Sequence, residues 1–274
     1  MAFVRTQAVN SVLYTEVRFA PQLLSGPKTP VEKVVQSALK GIDRGVSAVS
    51  GTAPGLRVNL ILCCMRGRSP ELCYEVVDLA KRFAPKWSKS GVVGIDFAEG
   101  GGPSVAPFDA WVAPFRYAKS VGVLATVHAG EECKPPDDCP RNCGIAFRSM
   151  GARRIGHGYH CGDDIWAQLQ NASVHLEACP SSSIGTGAVN GWANHPLKTY
   201  AERGYSFGIN TDDEGVLDTN MSREVYLSES KIGLSAAQVD AAMLNAAEAA
   251  FLPQSEVLDL QRRLRIARTT VVLV

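Results

Sequence analysis

The sequence predicts an α/β fold with a parallel sheet, on three observations. Seven short apolar runs rich in β-branched residues recur along the chain, segments of helical spacing lie between most of them, and a reactive polar residue follows nearly every run. Strands buried on both faces of a parallel sheet read as nearly continuous apolar runs, and strands alternating with helices build a helix-covered parallel sheet. Polar residues placed after the strands fit a TIM-type (β/α)8 barrel, whose active site forms at the C-terminal ends of its strands. A doubly wound open sheet would favour a glycine-rich phosphate loop after its first strand. The stretch "EGGGPS" at 99–104 lacks that spacing and is expected to be a loop.

The expected strands are "SVLYTEVRF" (11–19), "LRVNLILCC" (56–64), "GVVGIDF" (91–97), "VGVLATVH" (121–128), "RRIGHG" (153–158), "SVHLEAC" (173–179) and "YSFGIN" (205–210). Between the first two, "TPVEKVVQSALKGIDRGV" places apolar residues at 31, 34, 35, 38, 39 and 42, the spacing of a helix face. "SPELCYEVVDLAKRF" does the same after the second, with Ser69 as a cap and Pro70 in the first turn. Seven strands are one short of eight. The ten residues before the first run are too few for a strand and a crossover helix. Residues 1–274 are therefore expected to form a single barrel domain, N-terminally shortened, with seven of eight strands. Residues 222–264 read as C-terminal helices, one capped by Ser235 and ending at Pro253, and the tail "RTTVVLV" is rich in β-formers.

Bulk properties exclude several classes. With 274 residues and 46% hydrophobic composition the chain can bury a large core. Its net charge of +1 gives no field of one sign, so neither nucleic acid nor an anionic membrane is expected as a partner. No apolar stretch is long enough to span a bilayer, and the N-terminus lacks the pattern of a signal peptide. Eight cysteines in a chain this long do not suggest a disulfide scaffold. A reducing cytoplasm is the expected location.

Three stretches carry chemistry. "HAGE" holds His128 and Glu131, "GHGYH" holds His157 between glycines, and "NTDD" holds Asp212 and Asp213. Taken singly, each has a plain structural explanation: a hydrogen-bonded core histidine, a close backbone approach, a turn or helix cap. Each follows an expected strand of one parallel array, and together they suit a hydrolytic metal site. Such a site takes nitrogen and oxygen ligands and leaves a position for water, which a bound zinc acidifies to a pKa of about 7. A histidine with a pKa near working pH can orient or deprotonate that water.

In the same order and at comparable spacing, "VRFAP", "LILCCMR", "GIDFA", "TVHAGE", "RIGHGYH", "LEACPSSS", "NHPL", "GINTDD" and "LNAAEAAFLP" resemble the adenosine deaminase family. The resemblance runs from about residue 12 to about residue 265. It implies a purine-salvage hydrolase that converts adenosine or 2'-deoxyadenosine to inosine or 2'-deoxyinosine plus ammonia. In that scheme zinc-bound hydroxide attacks purine C6. His128 and Asp212 would be zinc ligands, and Asp212 would also contact the water. Glu131 would protonate purine N1, His157 would orient and deprotonate the water, and Asp213 would bond purine N7. One Zn2+ per chain, a purine nucleoside as the small-molecule partner and a monomeric state complete the expectation.

The sequence departs from the family pattern in ways that bear on function. The family's H-x-H pair, which gives two zinc ligands, occurs nowhere in these residues, so the site is incomplete here. The glycine whose backbone meets the purine is replaced by Glu99, with Gly100 next, and Gly100 is taken as the contact. "ECKPPDDCPRNCGIAFRSMG" (132–151) is an insert in which Cys133, Cys139 and Cys143 suggest either a small zinc site or a plain surface loop. Cys63, Cys64 and Cys179 are expected to be packing residues. His160 and His175 are read as structural, and His195 as a cap before Pro196. The alternative function is a non-catalytic adenosine-binding or partner-binding relic of the barrel, motivated by the missing ligand pair.

Overall fold

The structure is a computed structural model and describes residues 1–86, 89–98, 106–133 and 138–271. Among these residues lie seven parallel strands: β1 (Tyr14–Phe19), β2 (Arg57–Met65), β3 (Val92–Ala98), β4 (Leu124–Ala129), β5 (Arg154–His157), β6 (His175–Ala178) and β7 (Phe207–Ile209). They follow one another in chain order, and each falls within one of the seven apolar runs or overlaps it by all but one residue. Helices join successive strands, so the described residues have the α/β architecture of a TIM-type barrel. Two compact units divide the described chain, Met1–His128 with Arg148–Ala152, and Ala129–Phe147 with Arg153 onward.

The first unit contains α1 (Ala2–Val9), α2 (Val31–Val49), α3 (Glu71–Arg82) and α4 (Val112–Ser120). Its core forms around β2 and β3, where Ile61, Leu62 and Ile95 are fully buried. On β3, Phe97 meets Phe108, Trp111 and Phe115 at ring-centroid distances of 5.1, 4.8 and 5.9 Å. The residues before β1 form α1, an element that the sequence pattern did not indicate. It seats Val4 on α2 where Gly45 leaves room: a Cβ at Gly45 would lie 2.8 Å from a Val4 methyl. Helix α3 starts one residue later than the Ser69-Pro70 signal suggests, and the Glu71 amide donates to Ser69 Oγ at 3.3 Å.

The second unit contains α5 (Cys139–Arg148), α6 (Asp163–Asn171), α7 (Pro180–Gly185), α8 (Pro196–Arg203), α9 (Glu214–Leu217), α10 (Met221–Leu227), α11 (Ala236–Glu248) and α12 (Gln254–Val271). Ser235 caps α11 as expected and forms a reciprocal capping box with Gln238. The helix stops at Glu248, short of Pro253. "RTTV" at 268–271, although rich in β-formers, continues α12. A helix already propagating adds one hydrogen bond per residue fixed, which outweighs the small penalty of β-branched residues.

Two buried histidines give the second unit an acid-sensitive fold. Burial pushes His175 down to about 3, with the Arg154 guanidinium acting in the same direction and Glu177 against it. Burial also pushes His195 down to about 4. The folded pKa values lie below the ordinary 6.5, so the unfolded chain takes up protons first as pH falls. The stability contributed by each neutral imidazole is complete above pH 6.5 and is lost as pH falls towards the folded value. Lowering pH from 7 to 5 is expected to cost about 2 kcal/mol for each histidine. Urea denaturation across this range checks it. His175→Gln should flatten the slope, and an equal slope in parent and variant would refute the assignment.

Candidate active site

Glu131, His157 and Asp212 come together in the second unit. β4 ends at Ala129, and Gly130 turns the chain with φ of 72°. β5 ends on His157, buried, with φ of 67°, and Gly158 follows with φ of 70°. Two hydrogen bonds hold the turns together: the Gly158 amide donates to Ala129 O at 3.1 Å and the His160 amide to Gly130 O at 2.8 Å. Trp166 Nε1 and Tyr200 Oη both donate to Gly158 O, at 2.9 and 3.0 Å. The result sets His157 Nε2 at 3.5 Å from Glu131 Oε2 and 3.8 Å from Asp212 Oδ2. Asp212, after β7, also has a positive φ, 56°. A left-handed conformation costs a non-glycine residue about 1–3 kcal/mol, and such outliers cluster at functional sites. Here two of the three candidate catalytic residues carry that cost.

Cys179 lies beside them. Its sulfur, one His157 nitrogen and an Asp212 oxygen all fall within 4.8 Å of one another. The buried Tyr159 fixes the Cys179 backbone, its hydroxyl accepting from Cys179 N at 2.8 Å and lying 3.2 Å from Cys179 O. Burial holds that phenol well above its ordinary pKa, so it stays neutral. Asp213 is exposed at the N-terminus of α9. Glu99 and Gly100 lie outside the described residues.

His128 ends the first unit, and the structure supplies a partner for it that the motifs did not single out. Asp96, on β3, is fully buried and places its carboxylate 3.0 Å from His128 Nδ1. Arg18 Nη1 donates to the same carboxylate at 3.1 Å. A carboxylate on Nδ1 fixes the tautomer that presents Nε2 as a lone pair, as metal-binding imidazoles are held. The signal was present in "GIDFA" and "TVHAGE". Its meaning needs the β3–β4 register, Asp96 opposite Thr126 and Phe97 opposite Val127. His128 is therefore held within the first unit as a metal-binding imidazole is, and Asp212 offers a carboxylate in the second. Zinc sites use three or four protein ligands.

The other histidines are structural. His160 Nε2 meets Ala188 O at 2.8 Å, and His175 Nδ1 meets Ser206 Oγ at 2.9 Å. His195 caps α8 by accepting from Leu197 N at 3.2 Å, and bonds Ser183 Oγ at 2.8 Å through its other nitrogen. The cysteines correct the sequence-based expectation. Cys64 pairs with Cys73, Cys133 with Cys139 and Cys143 with Cys161, while Cys63 and Cys179 stay unbridged and buried. The insert cysteines form neither a three-sulfur metal cluster nor a plain surface loop, because α5 turns Cys139 and Cys143 inward.

Parallel strands in chain order, with histidines and acids at their C-terminal ends, are the arrangement of an enzyme built on a TIM-type barrel. The family model for adenosine deaminase matches residues 1–266, and the chain belongs to that family. The adenosine deaminase of Mycobacterium marinum is 33% identical over 272 residues, covering 94% of this chain and 71% of the relative. That of Danio rerio is 32% identical over 270 residues, covering 93% and 71%. Among solved structures, the N6-methyl-AMP deaminase of Arabidopsis thaliana superposes with a TM-score of 0.83 at 25% identity, covering 97% of this chain and 76% of that one. An adenine deaminase from Arthrobacter aurescens shares the fold with a TM-score of 0.83 at 20% identity, covering 98% and 77%.

Proposed function

We propose that this chain hydrolyses the 6-amino group of adenosine or 2'-deoxyadenosine, giving the inosine nucleoside and ammonia. The observation that carries it is the gathering of Glu131, His157 and Asp212 at strand ends of an adenosine deaminase family member. Glu131 gives a proton to purine N1, which makes C6 electrophilic. His157 accepts the proton of the attacking water and aims its oxygen at C6. The new C–O bond replaces the C–N bond: His157 passes the water's proton to the amino group, which leaves as ammonia, and the proton left on the new oxygen returns to Glu131 as the C6 carbonyl forms. Asp213 bonds N7. The family's zinc ion acidifies the attacking water; of its ligands this sequence supplies His128 and Asp212 and lacks the H-x-H pair.

In this proposal residues 1–274 act as one barrel domain and as a monomer, with no nucleic-acid or membrane partner. No helix among the described residues is long and apolar enough to cross a membrane. Salvage of nucleosides inside the cell would place the chain in the cytoplasm, whereas three disulfides suit an oxidising compartment. Alkylation of thiols in a rapidly quenched extract decides between the two. A non-catalytic relic has only the missing H-x-H pair in its favour.

The test is absorbance-monitored conversion of adenosine to inosine by the full chain supplied with zinc. A protein that loads metal and leaves adenosine unchanged would sink the proposal. Asp96→Asn adds a second check. It removes the negative charge that orients His128 and is expected to lower metal affinity about 10–100-fold, measured by competition with a chromophoric chelator. Unchanged affinity would show that His128 does not hold the metal.

A further inference from the structure

We infer that the Cys143–Cys161 disulfide is a positioning strap for the turns that carry Glu131 and His157, an inference that rests on the active-site assignment above. The disulfide lies inside the second unit, with both cysteines fully buried. It rests against Gly130, the residue before Glu131: a Cβ there would lie 2.7 Å from Cys143 Sγ and 3.2 Å from Cys161 Sγ. It also reaches the turn after His157, where a Cβ at Gly158 would lie 3.7 Å from Cys161 Sγ. One covalent bridge thus backs both turns at the point where their amides interlock, Gly158 N to Ala129 O and His160 N to Gly130 O.

The helix that supplies Cys143 is tied to the rim twice. Cys139 lies four residues earlier on α5, on the same face of the helix, and pairs with Cys133. Cys133 is two residues beyond Glu131, and Cys161 is four beyond His157. The C-x3-C spacing of the insert therefore joins α5 to the chain just after each of the two residues. The geometry matters because Glu131 and His157 lie 3.5 Å apart and must address adjacent atoms of one base. Misplacement by about 1 Å can cost on the order of 100-fold in rate. The third disulfide, Cys64–Cys73, lies in the first unit between β2 and α3, and serves as a control for the general loss of a cross-link.

The test compares the wild-type chain with the variants C143A/C161A and C64A/C73A. Mapping after thiol blocking under non-reducing conditions should recover residues 143 and 161 in one linked peptide. In C143A/C161A the amides of Gly158 and His160 should exchange roughly tenfold faster or more, and C64A/C73A should leave them unchanged. Deamination should show kcat lowered roughly tenfold or more with KM within about twofold. Free thiols at 143 and 161 in the wild-type chain, or equal exchange at both amides in the two variants, would overturn the strap. Should C143A/C161A not fold, C161S gives the same exchange readout. A wild-type chain without turnover would fail the proposed function, while the exchange result would still decide the strap.

Discussion

Glu131→Gln is expected to slow adenosine deamination by on the order of 10²–10⁴-fold, the usual worth of one positioned proton donor. The carboxamide keeps the size and most of the hydrogen-bonding shape of the acid, so the fold and the binding of adenosine should persist. What it cannot do is deliver a proton to N1, and without that proton C6 remains a poor electrophile. The loss should fall on kcat, with KM little changed. Its position supports the assignment: Glu131 is partly shielded and sits 3.5 Å from His157 Nε2, so acid and base share one small volume. Steady-state kinetics and calorimetric binding of adenosine make the measurement. Retention of more than about a tenth of the parent kcat would remove Glu131 from the role of acid.

Arg154→Met is expected to destabilise the second unit by about 3–5 kcal/mol, the cost of leaving one member of a buried ion pair uncompensated. Arg154, at the start of β5, sets its Nε 2.7 Å from Glu177 Oε1 on β6, and both side chains are less than a tenth exposed. The guanidinium also covers the Phe251 ring at 3.6 Å from its centroid and donates to Ala249 O at 3.2 Å, just past the end of α11. Removing it strands the Glu177 carboxylate in a nearly dry site and uncovers the ring. The double change Arg154→Met with Glu177→Leu removes both charges and should recover most of the loss. Urea denaturation of the parent and both variants is the measurement. A single variant within about 1 kcal/mol of the parent would show that the pair is solvated and weak.

The sequence made the strands readable because burial on both faces leaves little room for polar residues, as in "LRVNLILCC". The three motifs were readable because their residue types are rare after apolar runs and fall after the fourth, fifth and seventh strands. Other features depend on distant parts of the chain. Asp96 gains its meaning only from the strand register that sets it near His128. The Cys133–Cys139 and Cys143–Cys161 pairs depend on which face of α5 turns inward, which a proline-rich stretch conceals. Helix α1 is short, with weak apolar spacing, and its packing requires the space left at Gly45. Hydrogen bonding along the backbone carries α12 through a run of β-branched residues whose local preference is against helix.

The left-handed backbones of His157 and Asp212 also bear on how this chain can change. At those positions glycine would relieve strain, and asparagine is tolerated better than most residues. Random variation filtered only for thermal resistance would therefore drift away from the histidine and the aspartate. A lineage released from selection for turnover should erode first at these two turns, while the strands that support them persist. Whether both residues survive in a given relative is thus a sharper sign of retained chemistry than the survival of the fold.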